Sequence, residues 1–187
     1  MLSNAMHKSE KLFLPENWEA ALELAMLQRP LRTKQARIYI CSPCRADTAE
    51  GVINNMKAAR VYMLYSYIYF QGVPWAPHAY LPVMLNDNFE DEREIALSFG
   101  TRLLMDCDLM LVCGDRLSEG MYGEIIAAIK NNIPVQVFNR NIFDILRIRL
   151  AMDGYDYKHP YYENGRKHHA LAMGAKELAA YWGDEQI

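Results

Sequence analysis

Three short β-prone runs, Arg37-Ile-Tyr-Ile-Cys41, Leu109-Met-Leu-Val-Cys113 and Pro134-Val-Gln-Val-Phe138, are separated by segments carrying the 3.6-residue periodicity of helices. The middle run is apolar throughout instead of alternating with polar side chains, which is the signature of a strand buried on both faces. Such a strand needs helices on either side, and strands that succeed one another through helical crossovers run parallel. The pattern predicts an α/β fold: a Rossmann-like (flavodoxin-like) parallel sheet flanked by helices, with right-handed crossovers and extra N- and C-terminal helices.

Residues 1–35 begin with Ser3-Asn4-Ala5 beside a second methionine, Met6, the mark of a cloning remnant, and continue into an amphipathic helical segment over 17–28. Residues 36–139 form the expected main domain, and 140–187 a helical extension packed on it. Inside the main domain a helix is predicted over 49–71, with Gly72 as its stop. Residues 73–78 form a brief strand, which two prolines push to a sheet edge. A loop or short helical excursion over 79–88 precedes helices over 89–106 and 119–132. In the extension, helices over 142–150 and 168–182 flank a Tyr- and Gly-rich stretch, 154–165, and the run ending at Phe138 is the last strand expected.

Composition narrows the partners. A chain of 187 residues with 51% hydrophobic content has material for one real core. Its net charge of −3 and the lack of a dense Lys/Arg cluster argue against nucleic acid. No apolar run reaches the roughly 20 residues that span a bilayer, and no signal-peptide layout is present, so neither a membrane partner nor export is expected and a cytoplasmic location is. Cys41 and Cys44 form a C-x-x-C at a strand-to-helix junction, where a redox pair is one alternative; structural thiols in a reducing compartment are the simpler reading. Zinc would need two further ligands at matched spacing, while Cys107 and Cys113 fall in or beside a buried strand. His168 and His169, adjacent on a helix, face different directions. No metal and no cofactor are expected.

In open α/β sheets ligands bind outside the carboxyl ends of the strands. The loops there cover 41–47, 77–91 and 114–124. The first offers Tyr39, Ser42 and Arg45; the second His78, Asp87, Glu90 and Asp91; the third Asp115, Ser118 and Glu124. Ser118-Glu-Gly-Met-Tyr-Gly-Glu124 leads from a strand into a helix, so its amides and Ser118, with the Arg45 guanidinium, suit a phosphate. A carboxylate held there can attack an anomeric carbon, as in retaining glycosidases, where a second acid protonates the leaving group. Plainer roles stand beside these: Ser118 as an N-cap, Glu124 as a solvated helix residue, Arg45 paired with Asp47, and His78 bonded to a backbone carbonyl.

Taken as a set, Ile38-Tyr-Ile-Cys-Ser-Pro43 with Arg45, Pro77-His78, Cys107-Asp108 and Ser118-x-Gly120-x-x-x-Glu124 resemble the nucleoside 2-deoxyribosyltransferase superfamily, over about residues 38–138. The order of S-P-x-R, A-P-H, C-D, S-E-G-M and a following glutamate is that of a bacterial and phage branch of it. The resemblance implies a nucleoside or nucleotide as partner, and cleavage or transfer of the N-glycosidic bond of a (deoxy)nucleoside or its 5′-monophosphate. Glu124 would then be the nucleophile at C1′, aided by Tyr39, with Ser42, Arg45, His78, Ser118 and Gly120 binding substrate. It also implies a homo-oligomer, for which the aromatic stretch 62–70 offers an interface. One departure stands out: the superfamily's leaving-group aspartate, eight residues before the position of Asp108, is Gly100 here. Asp91, Glu92 or Glu94 must replace it from another turn, or the cleft is a non-catalytic nucleotide-sensing module.

Overall fold

The computed structural model describes residues 35–86, 89–163 and 168–182. The segment expected to be helical over 17–28, the tag-like residues, Asp87 and Asn88 lie outside them. Five strands, β1 (Arg37–Cys41), β2 (Val73–Trp75), β3 (Leu109–Val112), β4 (Val135–Val137) and β5 (Pro160–Tyr162), form one sheet in the order β2-β1-β3-β4-β5. Every pairing is parallel. This is the flavodoxin-like strand order, in which the direction of winding reverses between β1 and β3.

The helices are α1 (Ala49–Phe70), α2 (Leu81–Met84), α3 (Glu90–Met105), α4 (Glu119–Lys130), α5 (Arg140–Met152), α6 (His169–Ala172) and α7 (Ala175–Trp182), with a 3-10 turn at Pro77–Ala79. Alternation along β1 assigns the two faces of the sheet. Tyr39 and Cys41 pack with Met110, Val112, Val135 and Val137 against α4 and α5, and Leu104 of α3 joins them. Ile38 and Ile40 pack with Leu111, Cys113 and Phe138 against α1 and the segment carrying α6 and α7. Each fully buried Leu or Ile contributes roughly 1.5–3 kcal/mol, so both layers are needed to hold the middle strands.

Local chemistry sets the element ends. The Thr48 hydroxyl caps α1 by accepting from the Gly51 amide at 3.0 Å, and Asn139 caps α5 by accepting from Asn141 and Ile142. The stop of α1 is Gln71, which takes the left-handed conformation at φ 52°; Gly72 is there for another reason. A Cβ on Gly72 would stand 2.4 Å from Cδ1 of Ile38 and 2.8 Å from the Ala36 carbonyl oxygen. The glycine lets the chain pass against β1.

Three further expectations are corrected. The second strand ends at Trp75 and its last expected residues turn into the 3-10 helix, which aims His78 inward. The stretch 154–165 contains β5, so the segment after residue 139 adds a strand to the sheet as well as helices. The helix expected over 168–182 is broken into α6 and α7 at Met173, whose backbone is extended, and at Gly174, where the Asp115 carboxylate fills the space that a Cβ would need. Within the stretch 62–70, Tyr62, Tyr65, Ser66 and Ile68 are buried while Met63, Leu64, Tyr67, Tyr69 and Phe70 are half-buried, and the Tyr62 hydroxyl donates to the Met173 carbonyl at 2.5 Å. Among the described residues, exposed apolar side chains include Ile95, Leu97 and Phe99 on α3. No described helix is long and apolar enough to cross a membrane.

Candidate active site

The carboxyl ends of β1 and β3 meet at the winding reversal, and their loops are tied to each other. Arg116, after β3, donates from its guanidinium to the Arg45 carbonyl at 2.8 Å. From below, the buried Asn55 of α1 donates to the carbonyls of Cys44 and Arg45 at 3.0 and 3.2 Å. Gly114, at φ +103°, takes a conformation that favours glycine and lies against Pro43. Neither Asn55 nor Arg116 was singled out from sequence. An asparagine on the apolar face of a long helix was the available cue, since a buried amide has to find partners.

Glu124 stands in the second turn of α4, half-buried, with its carboxylate turned under the loops toward β1. The Tyr39 hydroxyl, on a side chain with no exposed surface, donates to Glu124 Oε1 at 2.8 Å. The Cys41 thiol lies on the same face of β1, 3.8 Å from the Met121 carbonyl and within reach of the carboxylate. Desolvation pushes the Glu124 carboxyl up to about 7; the hydrogen bonds from Tyr39 and then Cys41 pull the other way and are outweighed. The same burial, reinforced by the Glu124 charge, holds the Tyr39 phenol and the Cys41 thiol well above their usual ranges, so both stay protonated donors.

Gly100 of α3 faces this pair. A Cβ on it would stand 3.3 Å from the Tyr39 hydroxyl oxygen, 3.9 Å from Glu124 Oε1 and 3.9 Å from Cγ of Pro77. Next along the chain from Pro77, His78 shares a 2.7 Å hydrogen bond between its Nε2 and Oγ of Ser42, the neighbour of Cys41. Both side chains are buried, and desolvation lowers the imidazole to about 4, which keeps it neutral near pH 7. The partner of His78 is thus a serine hydroxyl.

The structure brings Tyr39 to Glu124 and Ser42 to His78. It puts Arg45 and Gly120 at exposed positions of the surrounding loops and helix end. Ser118 caps α4, accepting from the Met121 amide at 3.3 Å, as its plainer role required. Of the acids considered as substitutes at Gly100, Glu92 accepts from the Asn86 amide at 2.6 Å, and Asp91 and Glu94 are exposed in the first turns of α3. Asp108 belongs to the other end of the sheet: its carboxylate accepts from the Arg37 amide at 2.8 Å and pins the start of β1. Among the described residues no group of three or more His, Cys, Asp or Glu side chains is placed to hold a metal ion. Cys41, Cys44, Cys107 and Cys113 are free thiols.

A family model described as Domain of unknown function (DUF7768) matches residues 36–138, which is more than half of the chain and runs from the residue before β1 to the residue after β4. No curated protein matches the chain.

Proposed function

The chain belongs to this domain family of unknown function, and from that premise we propose that it binds a nucleoside or nucleotide and cleaves or transfers its N-glycosidic bond through Glu124. The observation that carries the reading is the 2.8 Å bond from Tyr39 to Glu124 at the winding reversal, where one buried carboxylate is oriented by a neutral donor. In the reaction an oxygen of ionised Glu124 bonds to C1′ while the C1′–N bond breaks. The electron pair goes to the base, which takes up a proton; water or a second base then releases the sugar from the glycosyl ester. The amino end of α4, with Ser118 and Gly120, and the Arg45 loop are assigned to a 5′-phosphate. Ser42 and His78 are assigned to the substrate as a neutral hydrogen-bonding pair.

Gly100 favours a second reading, a nucleotide-binding module without turnover. No acid occupies that position to protonate the departing base, and loss of such a step lowers a rate by ~10²–10⁴-fold. One experiment separates the two. Release of free base from nucleosides and their 5′-monophosphates is followed chromatographically for the wild type and Glu124→Gln, alongside melting temperatures with each compound. Base release that vanishes in E124Q supports the enzyme; melting shifts without release support the module. Neither release nor a shift with any compound overturns both. We further propose self-association, with exposed Ile95, Leu97 and Phe99 as the contributing surface; light scattering that gives a monomer at all workable concentrations overturns it.

A further inference from the structure

Two successive carbonyls of the loop after β1 are held by three hydrogen bonds from two side chains. Nδ2 of Asn55 donates to Cys44 at 3.0 Å and to Arg45 at 3.2 Å, and Nη2 of Arg116 donates to Arg45 at 2.8 Å. Asn55 is buried and carries no charge, and its amide nitrogen has both hydrogens directed at this one loop. The loop also lies close on α1: a Cβ on Gly51 would stand 2.5 Å from Cβ of Ala46, so the glycine lets Ala46 approach the helix. Across a planar trans peptide the carbonyl of one residue and the amide of the next point in opposite directions. With the carbonyls of Cys44 and Arg45 drawn to Asn55, the amides of Arg45 and Ala46 are turned away from it. Successive amides turned to one side make a surface that attracts anions, whereas carbonyl oxygens there would repel them.

Resting on the assignment of the Arg45 loop to a 5′-phosphate, we propose that Asn55 is a positioning residue that sets the preference for a 5′-monophosphate over the nucleoside. It acts through the loop: by keeping the two carbonyls on the α1 side, it fixes which face the peptides at Arg45 and Ala46 present to the phosphate. Arg116 braces the same loop from the strand beside it. Because Asn55 is neutral and works from beneath the loop, its removal takes no attractive charge from the phosphate. What is lost is the orientation of the peptide groups, whose freed carbonyls can then turn toward the anion. The sugar and base, assigned to Glu124, Tyr39, Ser42 and His78, do not depend on that orientation.

The test is the ratio of nucleoside to 5′-monophosphate dissociation constants, measured by calorimetry on the full chain for matched pairs with each common base. The wild type is expected to favour the monophosphate at least about tenfold, a difference readily resolved. Asn55→Ala is expected to reduce that ratio about tenfold, with the change confined to the monophosphate. Arg116→Lys, at an exposed position, keeps the charge but loses the planar fork, and is expected to reduce the ratio about threefold. Melting curves establish that each variant is folded, and Arg116→Lys decides alone if Asn55→Ala is not. A ratio unchanged in the folded variants overturns the inference, as does a variant that weakens nucleoside and monophosphate alike, which is the mark of a merely structural role. If the wild type binds both ligands equally, the phosphate assignment of the loop falls and this inference with it, while the nucleoside reading stands. If neither ligand binds, the functional reading itself falls.

Discussion

Tyr39 in the first strand and Glu124 in the helix after the third are 85 positions apart in sequence and 2.8 Å apart in space, joined by a hydrogen bond from the phenol to Oε1. Parallel strand order brings this about: β1 and β3 are neighbours although β2 intervenes in the chain, so the helix that follows β3 returns over the face where Tyr39 points.

If Glu124 acts as a nucleophile it must be ionised, and its carboxyl titrates at about 7. Base release should therefore rise about tenfold per pH unit below 7 and level off above it. A rate already flat between pH 5 and 7 would mean a carboxylate with an ordinary, solvated pKa.

The same group makes a stability prediction. Its folded value of about 7 exceeds the ordinary 4.5, so its contribution is fully present below pH 4.5 and is lost as pH rises through 7. The loss is at most roughly 3–4 kcal/mol. Glu124→Gln should melt several degrees above wild type at pH 8 and at nearly the same temperature at pH 4.5. Equal melting at pH 8 would show that the carboxylate is solvated after all.

For His78 the sign is reversed. Burial depresses its folded value to about 4, below the ordinary 6.5, so its contribution is present above pH 6.5 and is lost as pH falls toward 4. Its ring signals in an NMR titration should show a neutral imidazole from pH 8 down to about 5. Ser42→Ala leaves the buried Nε2 without its partner and should cost about 1–3 kcal/mol by urea denaturation at pH 7.

Tyr62→Phe deletes the donor that holds the Met173 carbonyl while keeping the ring packed. The expected cost is about 1–2 kcal/mol, with faster amide exchange concentrated at Gly114 and Leu171, whose backbones pair at 2.9 Å beside it. Unchanged exchange there would show that packing alone fixes the segment.

At the end of α1 two substitutions should have opposite signs. Gln71→Gly relieves a left-handed residue and should stabilise by about 0.4–1 kcal/mol. Gly72→Ala drives a methyl into Ile38 and the Ala36 carbonyl and should destabilise by at least about 1–3 kcal/mol. Thermal melts that give the two changes the same sign would contradict the assignment of the stop to Gln71.

Strands β1, β3 and β4 and helix α4 were legible because each bears a local signal: β-prone runs for the strands, apolar throughout in β3, and a capped apolar stretch for α4. β5 was not legible, since Pro160-Tyr-Tyr162 is three residues long and becomes a strand by pairing with β4. The break between α6 and α7 sits where Met173 meets Tyr62 and Gly174 meets Asp115, both far earlier in the chain, and no periodicity reports such contacts. At the site, the chain order already put Tyr39 and Glu124 at the carboxyl ends of adjacent strands. The pairing of His78 with Ser42 was not visible, because it requires the chain to leave β2 as a 3-10 turn, and two prolines in that stretch suggested only an edge strand. Nor was the closeness of Gly100 to Glu124 visible, since a glycine gives no apolar signal of which face it is on.

The outermost strands, β2 and β5, are each three residues long and each contains a proline, Pro74 or Pro160. A foreign chain seeking to extend the sheet by docking its backbone finds a template too brief and lacking an amide on either flank, which guards against fibril-type growth. Among the described residues, the sheet thus offers a second backbone little to pair with at either edge.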